Sequence, residues 1–219
     1  MSEVVFWDED TQIDFMLPGR PLYIPGAEEI LPALAALTTY AREHGIRILG
    51  SEDSHALTDP EISEEPDWKL TFPPHCLAGT EGQRRVPQTS PVDPLFIEST
   101  PLPRRDLEEA VRRHRGEIFF RKQTFDAFDN PNVEPVLDLI GASTVVIYGV
   151  ARDICVRVAV ERFLERGRED VAVVTDATRA LDRPGGEALL GTWAARGVRL
   201  LTTAAVLDGA LAGARAGSA

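Results

Sequence analysis

Short apolar runs and amphipathic stretches alternate along nearly the whole chain, and this beat restricts the fold more than any other feature of the sequence. Residues 4–8 read as a strand, and 27–44 as a helix with Ile30, Leu34, Leu37 and Ala41 at helical spacing and Gly45 as its stop. Strands at 46–50, 117–121, 144–148, 171–174 and 198–201 then trade places with helices at 106–114, 133–140, 153–165, 187–195 and 204–211. Parallel strands joined by helical crossovers bury both faces of a sheet. The expectation is a doubly wound α/β fold, a three-layer α/β/α sandwich around a mainly parallel six-stranded sheet. A chain of 219 residues has the length of one such domain.

One region breaks the rhythm. From about 54 to 94 there is no sustained period, but many prolines, the acids Asp59, Glu61, Glu64, Glu65 and Asp67, and the large side chains Trp68, Phe72 and His75. A long irregular loop inside a compact domain is usually functional or disordered. A net charge of -12 speaks against nucleic acid or an anionic membrane as partner. The sequence has neither a run long enough for a membrane span nor the basic-then-apolar order of a signal peptide, and its two cysteines make no disulfide framework, so a cytoplasmic place is expected. The small-residue C-terminal tail is expected to be loose.

In a doubly wound sheet, ligands bind outside the carboxyl ends of the strands. The first strand runs into Asp8, Glu9 and Asp10, the second into Ser51, Glu52, Asp53, Ser54 and His55. The third reaches Lys122, and the fourth passes Gly149, Val150 and Ala151 to Cys155. Cysteine is among the residues most often buried, so alone Cys155 reads as filler. With an acid and a lysine aimed at the same edge it reads as a nucleophile, and in the first turn of a helix its thiol is expected to have a lowered pKa. Asp53 and His55, two apart, point to one side, and His75 can complete a site for a borderline metal, with Glu61, Glu64 or Glu65 as source of a fourth ligand.

Taken together, these residues resemble the isochorismatase-like cysteine hydrolases, and within them the nicotinamidases. Asp10-Thr11-Gln12-Ile13-Asp14-Phe15 is similar to the family's Asp-x-Gln-Asn-Asp-Phe opening, and Asp53-Ser54-His55 to its Asp-Trp-His. Phe72-Pro73-Pro74-His75-Cys76 followed by Gly79-Thr80-Glu81-Gly82 resembles its Trp-Pro-Pro-His-Cys and Gly-Thr-x-Gly stretches. Lys122, Phe125 and Phe128 match a Lys-x-x-Phe-x-x-Phe motif, and 149–156 match the nucleophile motif Gly-x-Ala-Thr-Asp-x-Cys-Val, with Arg152 in place of threonine. The matches keep the family's order from about residue 3 to 207.

The resemblance implies an Asp10–Lys122–Cys155 triad that converts a small carboxamide, nicotinamide first, to carboxylate and ammonia through a thioester. It implies an oxyanion site at the amides of Ala151 and Cys155 with a cis peptide at Val150–Ala151. It also implies one divalent metal ion, zinc first with manganese or iron as alternatives, on Asp53, His55 and His75, with Glu61 or Glu64 as a further ligand. Gln12, Phe15 and Phe72 are implied in substrate binding, and a homo-oligomer in assembly. Arg152 either selects an anionic substrate or faces away. The competing readings are another small amide or carbamoyl hydrolase of the superfamily, a metallohydrolase with Cys155 as bystander, and a non-catalytic binding domain.

Overall fold

The computed structural model describes residues 4–211; the C-terminal tail lies outside them. Its strands are β1 (Val4–Glu9), β2 (Arg47–Asp53), β3 (Leu95–Ile97), β4 (Ile118–Lys122), β5 (Thr144–Val150), β6 (Asp170–Arg179) and β7 (Arg199–Leu201). They form one seven-stranded sheet in the order β3-β4-β2-β1-β5-β6-β7, and each of these pairings is parallel. The sequence pattern predicts six strands. The seventh, β3, is three residues long and lies on the edge against β4, too short to display a period of its own.

The helices are α1 (Ile13–Met16), α2 (Leu31–Glu43), α3 (Arg104–Arg113), α4 (Val133–Ile140), α5 (Cys155–Arg166), α6 (Arg183–Ala195) and α7 (Thr203–Leu207). Strand side chains alternate between two apolar cores, as the pleat requires. Val5 and Trp7 of β1 and Val145 and Ile147 of β5 pack with Leu107, Val136, Val160 and Trp193 from α3, α4, α5 and α6. Phe6, Val146 and Tyr148 point the other way, onto Leu34 and Leu37 of α2 and Val206 of α7. The predicted helix at 27–44 is a 3-10 turn over Ala27–Ile30 followed by α2. Gly45 follows with φ +65°, as a helix stop requires.

β1 lies at the centre. The chain builds β2, β4 and β3 on one side of it, then crosses to build β5, β6 and β7 on the other. The crevice at this reversal opens at the carboxyl ends of the strands. Register aligns those ends: Glu9 lies level with Ser51 on one side and Gly149 on the other, and Asp53 level with Lys122. The long excursion between β2 and β3 folds back over the same edge, pinned by short bridges that pair Gln12 with Arg85 and His55 with Leu77. Arg85 is buried beneath it, 2.6 Å from the Asp8 carboxylate. Among the described residues, no helix is long and apolar enough to cross a membrane.

β5 must approach β1 closely to deliver its end to this edge. Gly149 does so at φ +116°, where a Cβ would lie 2.0 Å from the carbonyl oxygen of Glu9. Gly149→Ala is therefore expected to lower stability by at least about 2 kcal/mol, read as a drop in the chemical-denaturation midpoint. An unchanged midpoint would show that the strand ends can separate without cost.

Candidate active site

Lys122, the last residue of β4, is fully buried and reaches across the strand ends. Its Nζ lies 2.9 Å from Asp10 Oδ2, donates to Asp53 Oδ1, and stands 3.7 Å from Cys155 Sγ. Asp10 leaves β1 with φ +45° and accepts a second bond, 2.7 Å long, from the Ser51 hydroxyl. Cys155 is the first residue of α5 and lines the pocket with Ala151. The peptide between Val150 and Ala151 is cis. Four strand ends thus bring Asp10, Asp53, Lys122 and Cys155 to one point.

Charge in this sealed place is set by burial and by Lys122. Burial pushes the Asp10 carboxyl up, with Lys122 opposing it. Burial also acts to raise Asp53, but the Lys122 charge and the facing His55 and His75 imidazoles overturn it and hold that carboxyl well below its ordinary range. Lys122 itself is held well above the usual lysine range, because Asp10 and Asp53 outweigh its desolvation. The Cys155 thiol is pushed well above its ordinary value by burial, although Lys122 acts the other way. This corrects the expected lowering: desolvation, together with the charges of Asp10, Asp53 and Glu9, outweighs Lys122. At rest Cys155 therefore holds its proton, and a role as nucleophile would need a base to take it.

Beside this cluster stands a second one. One ligand atom each from Asp53, His55, Glu61 and His75 lies within 4.8 Å of the others, all from buried residues. His75 Nδ1 bonds the Pro73 carbonyl oxygen at 2.8 Å and His55 Nδ1 faces Asp59 at 3.3 Å, which leaves both Nε2 atoms toward the cluster. Those two Nε2 atoms and Glu61 Oε2 are buried without a hydrogen-bond partner. Burial, with the Asp53 charge behind it, pushes the Glu61 carboxyl up to about 7. Two imidazoles and two carboxylates suit zinc, manganese or iron, and a cation would satisfy the unpaired atoms. Glu64 and Glu65 are exposed and stand outside the group. Asp53 belongs to both clusters: Oδ1 takes the Lys122 ammonium, while Oδ2 faces His55 and His75 at 3.6 and 3.5 Å.

Between the two clusters opens a small pocket walled by Phe15, Leu22, Ile24, Phe72, Ala151 and Ile154, with Asp53, Glu61, His75 and Cys155 as its other lining. The Phe15 and Phe72 rings lie 5.3 and 6.4 Å from the His75 ring. Gln12 takes a different place: its amide accepts from Asp53 N and donates to the carbonyl oxygens of Asp53 and Gln83, so it braces the end of β2.

Several residues of the site have no role that the sequence pattern assigns. Asp14 Oδ2 accepts from Cys76 N at 2.8 Å and so seats the stretch that carries His75. Asp59 holds His55, and Ser51 holds Asp10. Leu22 and Ile24 precede α2 in a segment without period, so no pattern marks them. Arg152, for which two roles were open, faces away from the pocket. Its guanidinium bonds Thr178 Oγ1, the carbonyl oxygens of Thr175 and Thr178, and Glu187, and so clamps the irregular middle of β6 to α6.

Known proteins share this architecture. At the sequence level the chain is 28% identical over 165 residues to the maleamate amidohydrolase of Pseudomonas putida, covering 74% of this chain and 67% of the relative. It is 25% identical over 163 residues to the nicotinamidase/pyrazinamidase of Mycobacterium tuberculosis, covering 72% and 77%. An isochorismatase family protein from Desulfovibrio vulgaris superposes with TM-score 0.74 at 27% identity, over 97% of this chain and all (100%) of that one. The pyrazinamidase of Pyrococcus horikoshii in complex with zinc gives TM-score 0.68 at 21% identity, over 91% and 99%, a likeness of fold. The family model of the isochorismatase domain matches residues 4–205, nearly the whole chain. The chain belongs to the isochorismatase family.

Proposed function

We propose that this chain is an amidohydrolase that cleaves a small, uncharged aromatic carboxamide, nicotinamide being the best fit, to carboxylate and ammonia through a thioester on Cys155. The observation that carries this reading is the single ammonium of Lys122, set between Asp10, Asp53 and the Cys155 sulfur, behind a largely apolar pocket that Asp53 and Cys155 line. Amidase relatives in the family support the reaction class.

The residues divide the work as follows. Asp10 takes the thiol proton, and the thiolate, paired with Lys122, attacks the carboxamide carbon. A carbon–sulfur bond forms as the carbonyl pair moves to oxygen, where the amides of Ala151 and Cys155 act as donors. Asp10 returns its proton to the departing nitrogen, ammonia leaves, and the carbonyl re-forms as a thioester. Water then attacks that carbon, Asp10 accepting its proton and passing it to the sulfur as the acid is released. Asp53, His55, Glu61 and His75 are the residues that would hold a divalent ion, whose chemistry there is to bind a substrate heteroatom and orient the amide. Phe15 and Phe72 provide apolar walls for a flat ring.

An anionic amide such as maleamate fits this pocket less well. No cationic side chain lines it, and Asp53 and Glu61 do. Ammonia release should therefore be faster from nicotinamide than from maleamate, by about tenfold or more in kcat/KM, a gap of about 1.4 kcal/mol. The reverse order would transfer the reading to an acidic substrate.

Two further outcomes test the mechanism. Cys155→Ala should lose at least about a thousandfold in kcat while keeping the wild-type melting temperature within a few degrees. Full activity in that variant would sink the covalent route. Chelation should lower the melting temperature of the wild type, and His75→Ala should abolish that response, because a ligand that binds only the folded state stabilises it. A chelator without effect on melting would remove the ion from the reading.

A further inference from the structure

The catalytic scheme has no use for Glu9, yet Glu9 is fully buried at the end of β1, directly before Asp10. The alternation of β1 puts it on the face of Val5 and Trp7, where an apolar residue would complete the pattern. Trp7 packs there with Phe120, Phe128 and Phe163, at ring separations of 5.9, 6.1 and 5.2 Å. The indole N–H of Trp7 donates to Glu9 Oε2, while Glu9 Oε1 has no hydrogen-bond partner. A carboxylate oxygen of Glu9, one of Asp10 and the Cys155 sulfur all lie within 4.8 Å of one another.

The charge count makes this arrangement informative. The groups that face Glu9 are Asp10 at its own strand end, Lys122 from β4 and Cys155 from α5, with Ser51 of β2 nearby and Asp53 on the same ammonium. Asp10 and Asp53 both contact Lys122, so one positive charge already answers two negative ones. A third ionised carboxylate would add charge next to a sulfur that must itself become negative. Only a proton turns the unpaired oxygen of Glu9 from a repelling acceptor into a donor.

Resting on the thioester reading above, we propose that Glu9 is a positioning residue of the nucleophile: a carboxyl group kept in its neutral form that offers a hydrogen-bond donor beside Cys155 and leaves Asp10 as the ionised base. Burial and then the charge of Asp10 push the Glu9 carboxyl well above its ordinary range, with Lys122 opposing. Asp10 has the ammonium and the Ser51 hydroxyl in direct contact, whereas Glu9 has the indole N–H and feels Lys122 and Ser51 as influences lesser than burial and Asp10. Two adjacent acids in unlike surroundings are thereby split into one that keeps its proton and one that gives it up.

The test reads the thiol directly, by the pH dependence of Cys155 alkylation with iodoacetamide, with peptide mapping to count adducts on Cys155 and not on Cys76. Glu9→Gln keeps a neutral donor of the same shape. Its alkylation midpoint should stay at the wild-type pH, with kcat within about threefold. Glu9→Val keeps the apolar wall and removes the donor. Its midpoint should rise by about one unit and kcat fall about tenfold, with KM little changed. A midpoint that drops by a unit or more in Glu9→Gln would mean that a negative charge had been removed, and would overturn the proposal. Wild-type behaviour of Glu9→Val in both assays would overturn it as well. Should Glu9→Val fail to fold, the Glu9→Gln profile decides alone. The alkylation readout needs no substrate, so an enzyme that releases no ammonia from nicotinamide would sink the substrate reading while this one is still decided.

Discussion

A lysine without solvent holds the working edge of this molecule together. Burying an ammonium is costly unless opposite charges and hydrogen bonds replace the water it loses. Lys122 finds both in Asp10 and Asp53, each on a different strand. Taking away the ammonium would leave two carboxylates facing each other out of water, a situation that costs roughly 3–5 kcal/mol in buried pairs of this kind. The alignment of β1, β2 and β4 and the position of the sulfur all depend on that one positive group. Structural ion pair and proposed catalytic apparatus are here the same atoms.

Much of this could be read from the chain, and the reasons differ by level. The layered fold was legible because short apolar runs, the buried strands, alternate with stretches that repeat at 3.6 residues, and the strand ends could be located from where each run stops. β3 was not, since a run of Leu95, Phe96 and Ile97 carries no period that separates a strand from a loop. Asp10, Lys122 and Cys155 stood out because polar residues follow apolar strands at one edge. Asp14 and Asp59 did not: each acts through a backbone amide or an imidazole brought near by the long loop, a relation that spacing does not encode. The thiol was misjudged for a related reason. Its place in a helix is local and visible, whereas its desolvation depends on what covers it.

Arg152 illustrates how a residue close to a candidate nucleophile can answer to the fold instead of the pocket. β6 leaves its register with β5 between Ile147 and Gly149, and an interrupted ladder leaves carbonyl oxygens to satisfy. The guanidinium takes up two of them and a hydroxyl, and bonds α6 through Glu187. The chain next to Cys155 is thus fastened from behind, by a side chain that never enters the pocket.

Asp53 gives the arrangement its last property. With one oxygen on Lys122 and the other turned to the imidazoles of His55 and His75, it belongs at once to the charge balance around Cys155 and to the candidate cation cluster. A cation held there would draw electron density from that carboxylate and leave less of it for the ammonium, which would then answer more to Asp10 and the sulfur. Linkage makes such an effect reciprocal: whatever the ion does to the thiol's proton affinity, the thiol's ionisation does in equal measure to the affinity for the ion.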